Sequence, residues 1–493
     1  MTAPVPNEAL KARTARFVRV VTLLLVFLIL SRPPADPDMW WHLSAGKEML
    51  ARGEILTHDV FSYTRAGATW VNAFWLSDLA MALIHRYGGF FALALTVALW
   101  GVLTLNLLYA RQAGPPLLRA AVTLLAALTL SPFWTPRPQL ASFFLLAVLD
   151  GWVARRDGLS PRARWTLPLL FVLWANLHGG FIWGILLLIA EAVGAAGDYL
   201  LSPGEADPSL LRRARDLALV TLLSWLAVLL NPNGAALWRL PFQQVSVSLE
   251  IQEWHSPDFH RLDLHFMLWM LFLYVVALGF SGRRPRLGEM FKVLGFAYLA
   301  FYAVRAVAPY ALVLAPPLAH HLSGALERWG DSPLGRRLDD LMRGKAARPL
   351  PERVSRVINL SAVALLLAMA LLRLYAQSLP QVVEKDYPGR AVTWIQENHP
   401  PGRLFNSYNW GGYLLWNLPE YPVFVDGRAD LYGEAILDQW WDVVQAKEGG
   451  WEVLDRWNVR LVLLEPHWPI VRELPERGWE VLYQDDVSVV FGR

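Results

Sequence analysis

Cysteine is absent from all 493 residues, which excludes disulfides, thiolate metal sites and cysteine nucleophiles. Charge is scarce too: 18% of residues are charged, and lysine is much rarer than arginine. The sequence also lacks a phosphate-cradling glycine loop, an HExxH pair and a nucleophile elbow, so P-loop, zinc-protease and α/β-hydrolase chemistries have no footing. No repeat or low-complexity tract is evident. A net charge of +3 and a pI near 9.0 are accounted for by loop arginines without a dedicated basic domain, so nucleic acid is not a partner.

Hydrophobic residues are abundant, at 55% of the chain, and apolar runs recur along its first three quarters. That is the composition of a polytopic membrane protein. The run Phe17 to Leu30 follows Lys11, Arg13 and Arg16 and ends at Pro33-Pro34. No small-residue cleavage pattern follows it, so it reads as an uncleaved anchor. Further runs predict crossings near 90 to 110, 117 to 131, 138 to 154, 165 to 177, 180 to 198, 216 to 230, 263 to 281, 289 to 303, 306 to 322 and 354 to 376. A bilayer needs roughly 20 mostly apolar residues per helix, which gives about eleven spans. Arginines gather in alternate loops, as the positive-inside rule requires of cytoplasmic segments. Arg111 and Arg119, Arg155 and Arg156, Arg212 and Arg213, and Arg283 and Arg284 are examples. The amphipathic stretch Phe74 to Tyr87 breaks the parity if it spans, so it is placed on the outer surface as an interfacial helix. The N-terminus is then cytoplasmic and the C-terminus extracytoplasmic, in a cell inner membrane.

Residues 1–378 are thus expected to form a transmembrane domain with a long first outer loop, 32–89. From about Leu379 the apolar runs shorten, and 379–493 is expected to be a small soluble α/β domain outside the membrane. Strands are predicted at Arg403 to Tyr408, Val423 to Asp426, Arg460 to Glu465, Glu480 to Gln484 and Val487 to Phe491, with helices near 388 to 398, 434 to 446 and 468 to 477.

Candidate chemistry concentrates in the outer loops. Asp36-Pro37-Asp38 directly follows the first hydrophobic helix. Asp before Pro is an expected helix N-cap, and capping alone is a sufficient account of Asp36. The same amides and dipole would also keep both carboxylates ionised, able to hold a divalent cation such as Mg or Mn or to accept a proton. His42 lies one turn from Asp38. Glu253 and Asp258 sit with two histidines in the loop from Asn231 to Leu262, where a solvated turn explains them equally well. Arg137, between two prolines, and Arg305 are sparse outer cations that could hold a lipid phosphate or merely contact headgroups. Asn176-Leu177-His178-Gly179-Gly180 interrupts an apolar run at the outer boundary, where a helix corner needs the glycines anyway. Asp426-Gly427-Arg428 runs off a predicted strand, a place that suits either a turn with an Arg428–Asp430 pair or a ligand.

A long first outer loop, an acidic residue just after the first membrane helix and an outer C-terminal domain together resemble the GT-C superfamily of membrane glycosyltransferases. Oligosaccharyltransferase catalytic subunits and protein mannosyltransferases belong to it. Asp36-Pro37 followed by aromatics resembles the Asp-Pro-aromatic segment of oligosaccharyltransferases, which implies that Asp36 is the catalytic or metal-binding carboxylate, with Asp38 as the second candidate. Ser407 to Tyr413 loosely resembles their acceptor-binding motif, and the resemblance makes Tyr408 and Trp410 acceptor candidates, joined by Asp426 and Arg428. Asn409 stands where that motif carries an acid, which disfavours a peptide acceptor. Nearly the whole chain also resembles a widespread group of bacterial membrane proteins sharing DPDMWWHLSAG, HDVFSYT, TPRPQLAS, NLHGGF, EWHSPDFH and VFVDGRADLYG, a likeness that imports no activity.

The expected function is transfer of a sugar from a polyprenyl-phosphate-linked donor in the bilayer to an extracytoplasmic acceptor. Asp36 and Asp38 are the expected catalytic and metal-binding groups, and His42, Glu253, Asp258, Arg137 and Arg305 the supporting ones. A transporter or flippase of lipid-linked intermediates predicts broken, charged helices and paired halves. A non-catalytic scaffold presenting the outer domain predicts Asp36 against its own helix in a closed surface.

Overall fold

The computed structural model describes residues 8–154, 159–202, 207–240, 252–330, 332–343 and 351–493. Helix α1 (Glu8–Leu30) carries the first apolar run. It stops where Ser31 turns both its amide and its hydroxyl onto the Phe27 carbonyl, at 2.8 and 2.7 Å, and two prolines follow. Asp36 caps α2 (Pro37–Arg52), accepting from the Asp38 amide at 2.9 Å, and Gly53 closes the helix in the left-handed region at φ 71°.

Helix α3 (Trp75–Arg111) is two helices joined at Gly89, whose φ of 59° and ψ of −156° suit glycine alone. The break falls where the sequence separates an interfacial helix from the next span. The remaining bundle consists of α4 (Pro116–Leu130), α5 (Gln139–Val153), α6 (Ala163–Leu177), α7 (Phe181–Leu200), α8 (Pro208–Ala227), α9 (His265–Phe280), α10 (Leu287–Tyr302) and α11 (Val307–Trp329), followed by a short α12 (Pro333–Met342) and by α13 (Glu352–Gln377). Each of the predicted spans falls on one of these helices. Five helical stretches among the described residues are long and apolar enough to cross a membrane by length and composition. Helix α11 is buried on nearly every side and forms the axis of the bundle core. Helix α13, by contrast, buries only Ala370 and Leu374 and leaves Leu360, Leu365 and Leu372 exposed. An apolar helix with so little protein around it needs lipid as its solvent. The chain is a multi-pass membrane protein.

The C-terminal part contains α14 (Pro380–Val383), α15 (Gly389–Asn398), α16 (Gly411–Asn417), α17 (Ala429–Val444), α18 (Glu448–Arg456) and α19 (Pro469–Glu473). They surround a mixed sheet of β1 (Arg403–Asn406), β2 (Val459–Leu464), β3 (Glu480–Gln484) and β4 (Val489–Gly492). The strand order is β1-β2-β4-β3, with β1 parallel to β2 and the other pairs antiparallel. The strand expected at Val423 to Asp426 does not join this sheet. Val423 instead makes an isolated parallel bridge to Ser62 of the first outer loop, and the side chain of Asn406 takes the Phe424 amide and the Val425 carbonyl, each at 2.8 Å.

That bridge reflects a larger arrangement. Met39, Trp40, Leu43 and Trp70 of the first outer loop share one apolar core with Tyr413, Phe424, Val425 and the β2 residues Leu461 to Leu464. Helix α16 lies so close on α2 that a Cβ on Gly412 would meet the Pro37 carbonyl oxygen at 2.9 Å. The Gly411-Gly412 pair is therefore a packing device, and it mounts the C-terminal part directly behind Asp36 and Asp38.

Candidate active site

A cavity of about 790 Å³ opens where the start of α2, the turn before α5, the Glu253 segment and the C-terminal part meet. Its size suits a small-molecule site. Asp36 and Asp38 line one wall. Across from them stands Arg137, held in a short turn between Pro136 and Pro138 whose amide bonds the Thr135 carbonyl at 2.7 Å. Arg137 reaches Asp38 at 2.5 Å, approaches Asp36 at 3.8 Å and pairs with Glu253. Trp41 donates its indole N–H to the other oxygen of Asp38 at 3.1 Å. Arg305, in the turn between α10 and α11, also lines the cavity and lies over the Trp254 ring at 4.2 Å.

Burial above all, joined by the neighbouring Asp36 and Glu253, raises the Asp38 carboxyl to about 7 against the pull of Arg137 and the Trp41 N–H. Burial alone would weaken the Arg137 charge, but Asp38, Glu253 and Asp36 together hold its guanidinium well above the ordinary value. Glu253 is desolvated as well, yet Arg137 and Arg305 keep its carboxyl below the usual range. The result is a cationic fork fixed among three carboxylates, one of which titrates near neutrality.

Two imidazoles stand beside this group. His42 is buried, and its Nδ1 lies 2.6 Å from Asp78, itself fully buried in the first turn of α3. Burial, reinforced by Arg137 and His178, holds the His42 ring well below its ordinary value, so it is neutral. His178 accepts the Gly180 amide at its Nδ1 (2.8 Å) and lies 2.7 Å from the Ser142 hydroxyl through the same nitrogen. Burial, with Arg305 and Arg137, lowers it to about 3. A neutral ring accepting at Nδ1 carries its proton on Nε2.

The structure thus brings together Asp36, Asp38, His42, Arg137, Glu253, Arg305 and Tyr408, residues drawn from across the whole chain. It separates others from them. Asp258 is exposed and pairs with His260 at 2.9 Å. Trp410 is buried in the core with its indole N–H on the Asp386 carbonyl. Asp426 and Arg428 are also buried, away from the cavity lining. Arg428 pairs with Asp426 at 2.7 Å and Asp59 at 2.8 Å and lies over Trp70, fastening the first outer loop to the C-terminal part. Arg428 therefore does not pair with Asp430, whose carboxylate instead lines the cavity.

Asp78 is a site neighbour beyond the residues expected from the sequence, and Asp430, expected only as an ion-pair partner of Arg428, is a second. An acid on the apolar interfacial helix was the available signal for Asp78. For Asp430 the neighbouring arginine masked it.

The donor set does not suit the Mg or Mn expected between Asp36 and Asp38. Their carboxylates and that of Glu253 already converge on one guanidinium, which a divalent cation would have to displace before it could be coordinated. Among the described residues, no group of three or more His, Asp or Glu side chains is arranged to hold a metal ion.

No protein-family model matches the sequence, and no curated protein matches it. Solved structures do match in fold. Archaeal oligosaccharyltransferase AglB from Archaeoglobus fulgidus, in complex with an inhibitory peptide and a dolichol-phosphate, is similar over 94% of this chain and 70% of its own, with a TM-score of 0.59 at 13% identity. The A. fulgidus oligosaccharyltransferase tethered with an acceptor peptide is similar over 90% of this chain and 68% of its own (TM-score 0.53, 14% identity). ArnT from Cupriavidus metallidurans in the apo state is similar over 98% of both chains (TM-score 0.53, 16% identity). The chain shares its fold with these proteins.

Proposed function

We propose that the protein transfers a sugar from a polyprenyl-phosphate-linked donor in the outer leaflet to an extracytoplasmic acceptor. The observation that carries this reading is the convergence of Asp36, Asp38, Arg137, Glu253 and Arg305 on one cavity beneath the C-terminal part. Guanidinium groups recognise phosphate through paired N–H donors, so Arg137 and Arg305 bind the donor phosphate and neutralise it as it leaves. The likeness to an AglB structure that contains a dolichol-phosphate supports a lipid phosphate as that group.

Asp38 receives the acceptor's proton. A carboxyl at about 7 suits a general base at neutral pH, because its proton affinity is high enough to drive transfer while a large share remains ionised. The acceptor oxygen forms a bond to the anomeric carbon as the carbon–oxygen bond to phosphate breaks. The phosphate departs with the electron pair, the proton ends on Asp38, and one direct displacement inverts the sugar. Asp36 holds the first turn of α2 and, with Glu253, orients Arg137.

A scaffold would have no need of this cavity, and its lining by Asp36 favours the enzyme. Binding of undecaprenyl phosphate, followed by native mass spectrometry, tests the donor half. Arg137→Gln and Arg305→Gln are each expected to weaken binding about tenfold, the loss of one charge-assisted contact. Unaltered binding in both folded variants would remove the phosphate site.

A further inference from the structure

The C-terminal part contributes three indoles to the cavity that Asp36 and Asp38 also line. Trp440 and Trp441 come from α17 and Trp468 from the turn before α19, and all three line the cavity. Trp468 stands nearly perpendicular to both, at 83° and 81°, with centroids 5.6 and 6.1 Å away. Tyr408 extends the wall, 5.9 Å from Trp440. Two of the three indole N–H groups are occupied: Trp440 donates to the Asn406 carbonyl at 3.0 Å and Trp468 to Glu465 at 2.8 Å. What those two rings have left to offer is their faces.

Asp430 stands beside them at the start of α17 and lines the same cavity. Burial raises its carboxyl to about 6, against the pull of nearby backbone amides and of Arg428. Among the described residues no cation forms an ion pair with it, unlike Asp36 and Asp38. Asn409 and Gln139 also line the space between the indoles and the acidic centre.

Aromatic faces beside fixed hydrogen-bond acceptors match one chemical class closely. A pyranose ring has one or two faces of C–H bonds, which pack on indole, and a rim of hydroxyls, which need acceptors such as carboxylates and amides. An isoprenoid chain would leave Asp430 and Asn409 desolvated without partners. A lone ammonium group would fill little of 790 Å³.

We infer that Trp441, Trp468 and Asp430, with Trp440 behind them, form a platform for a carbohydrate acceptor, stacking a sugar ring on the indoles and taking one of its hydroxyls at Asp430. The inference rests on the transferase reading for the word acceptor, though the platform itself is a binding site whether or not transfer occurs.

The test is saturation-transfer NMR on the full chain in nanodiscs, with cellohexaose, chitohexaose, maltohexaose and mannohexaose as probes and phosphocholine and an Asn-Val-Thr peptide as alternatives. At least one hexaose is expected to bind, with its ring C–H protons saturated most strongly. Trp441→Ala and Trp468→Ala, chosen because these two rings are partly exposed, are expected to weaken it about three- to tenfold each at unchanged thermal midpoint, the worth of one aromatic contact. Asp430→Asn is expected to weaken it as well. Failure of all four hexaoses to bind, or equal binding by wild type and both tryptophan variants, overturns the platform. Binding of phosphocholine or the peptide in place of every hexaose overturns it in favour of that ligand. Hexaose binding without sugar transfer leaves the platform standing and removes the transferase, whereas transfer to the peptide with no hexaose bound does the reverse.

Discussion

Arg137 governs how the carboxylates of Asp36, Asp38 and Glu253 behave. It keeps Asp36, Asp38 and Glu253 within reach of one another although like charges repel. Because the Asp38 carboxyl is raised to about 7, it holds its proton below that pH and cannot accept another. Turnover is therefore expected to rise through about pH 7 and level off above it, and Asp38→Asn is expected to lose both that limb and about 10²-fold or more of the rate. A pH–rate profile checks this, and an unshifted limb in Asp38→Asn would exclude Asp38 as the base. Arg428 gives the opposite expectation. It is buried with Asp426 and Asp59, so Arg428→Met strands two acids and is expected to destabilise the protein by roughly 3–5 kcal/mol, read as a lowered thermal midpoint. Asp36-Pro37-Asp38 was legible in the sequence because capping is a local rule. The pairing of Arg428 with Asp59 was not, because it brings residues from opposite ends of the chain together, and it changed Arg428 from a ligand contact into a fastening.

At the scale of elements, the predicted spans matched helices because an apolar run and its flanking charges are written in consecutive residues. Gly89 is the point where that pattern turns a corner. Its conformation admits no side chain without strain, so Gly89→Ala is expected to cost roughly 1–3 kcal/mol and to tilt the interfacial helix that carries Asp78 behind His42. Thermal denaturation would show the first effect and reduced turnover the second. The strand expected at Val423 to Asp426 failed for a physical reason. Its run of consecutive apolar residues is real, but its partners are side chains and a loop residue such as Thr64, which bonds the Phe424 carbonyl from 360 positions away. No neighbouring residue announces a partner at that distance.

For the whole molecule, the main consequence is that the first outer loop and the C-terminal part share one core. The sequence treats them as a loop and a separate domain, yet neither buries Trp40, Trp70 or Phe424 alone. Removing residues 379–493 is expected to leave the bundle membrane-embedded while residues 32–89 become sensitive to brief trypsin treatment. Persistence of the protected loop in the truncated protein would refute the shared core. The same joining closes the cavity between the acidic centre and the indole wall, and it makes the C-terminal part a component of the site. At this scale the central expectation is that the cavity transfers sugar. The direct measurement is transfer of radiolabelled sugar from an undecaprenyl-phosphate-linked donor by purified protein in nanodiscs, comparing wild type with Asp36→Asn and Asp38→Asn. Product is expected with wild type and about 10²-fold less with Asp38→Asn; equal turnover by wild type and both variants would refute sugar transfer through these carboxylates.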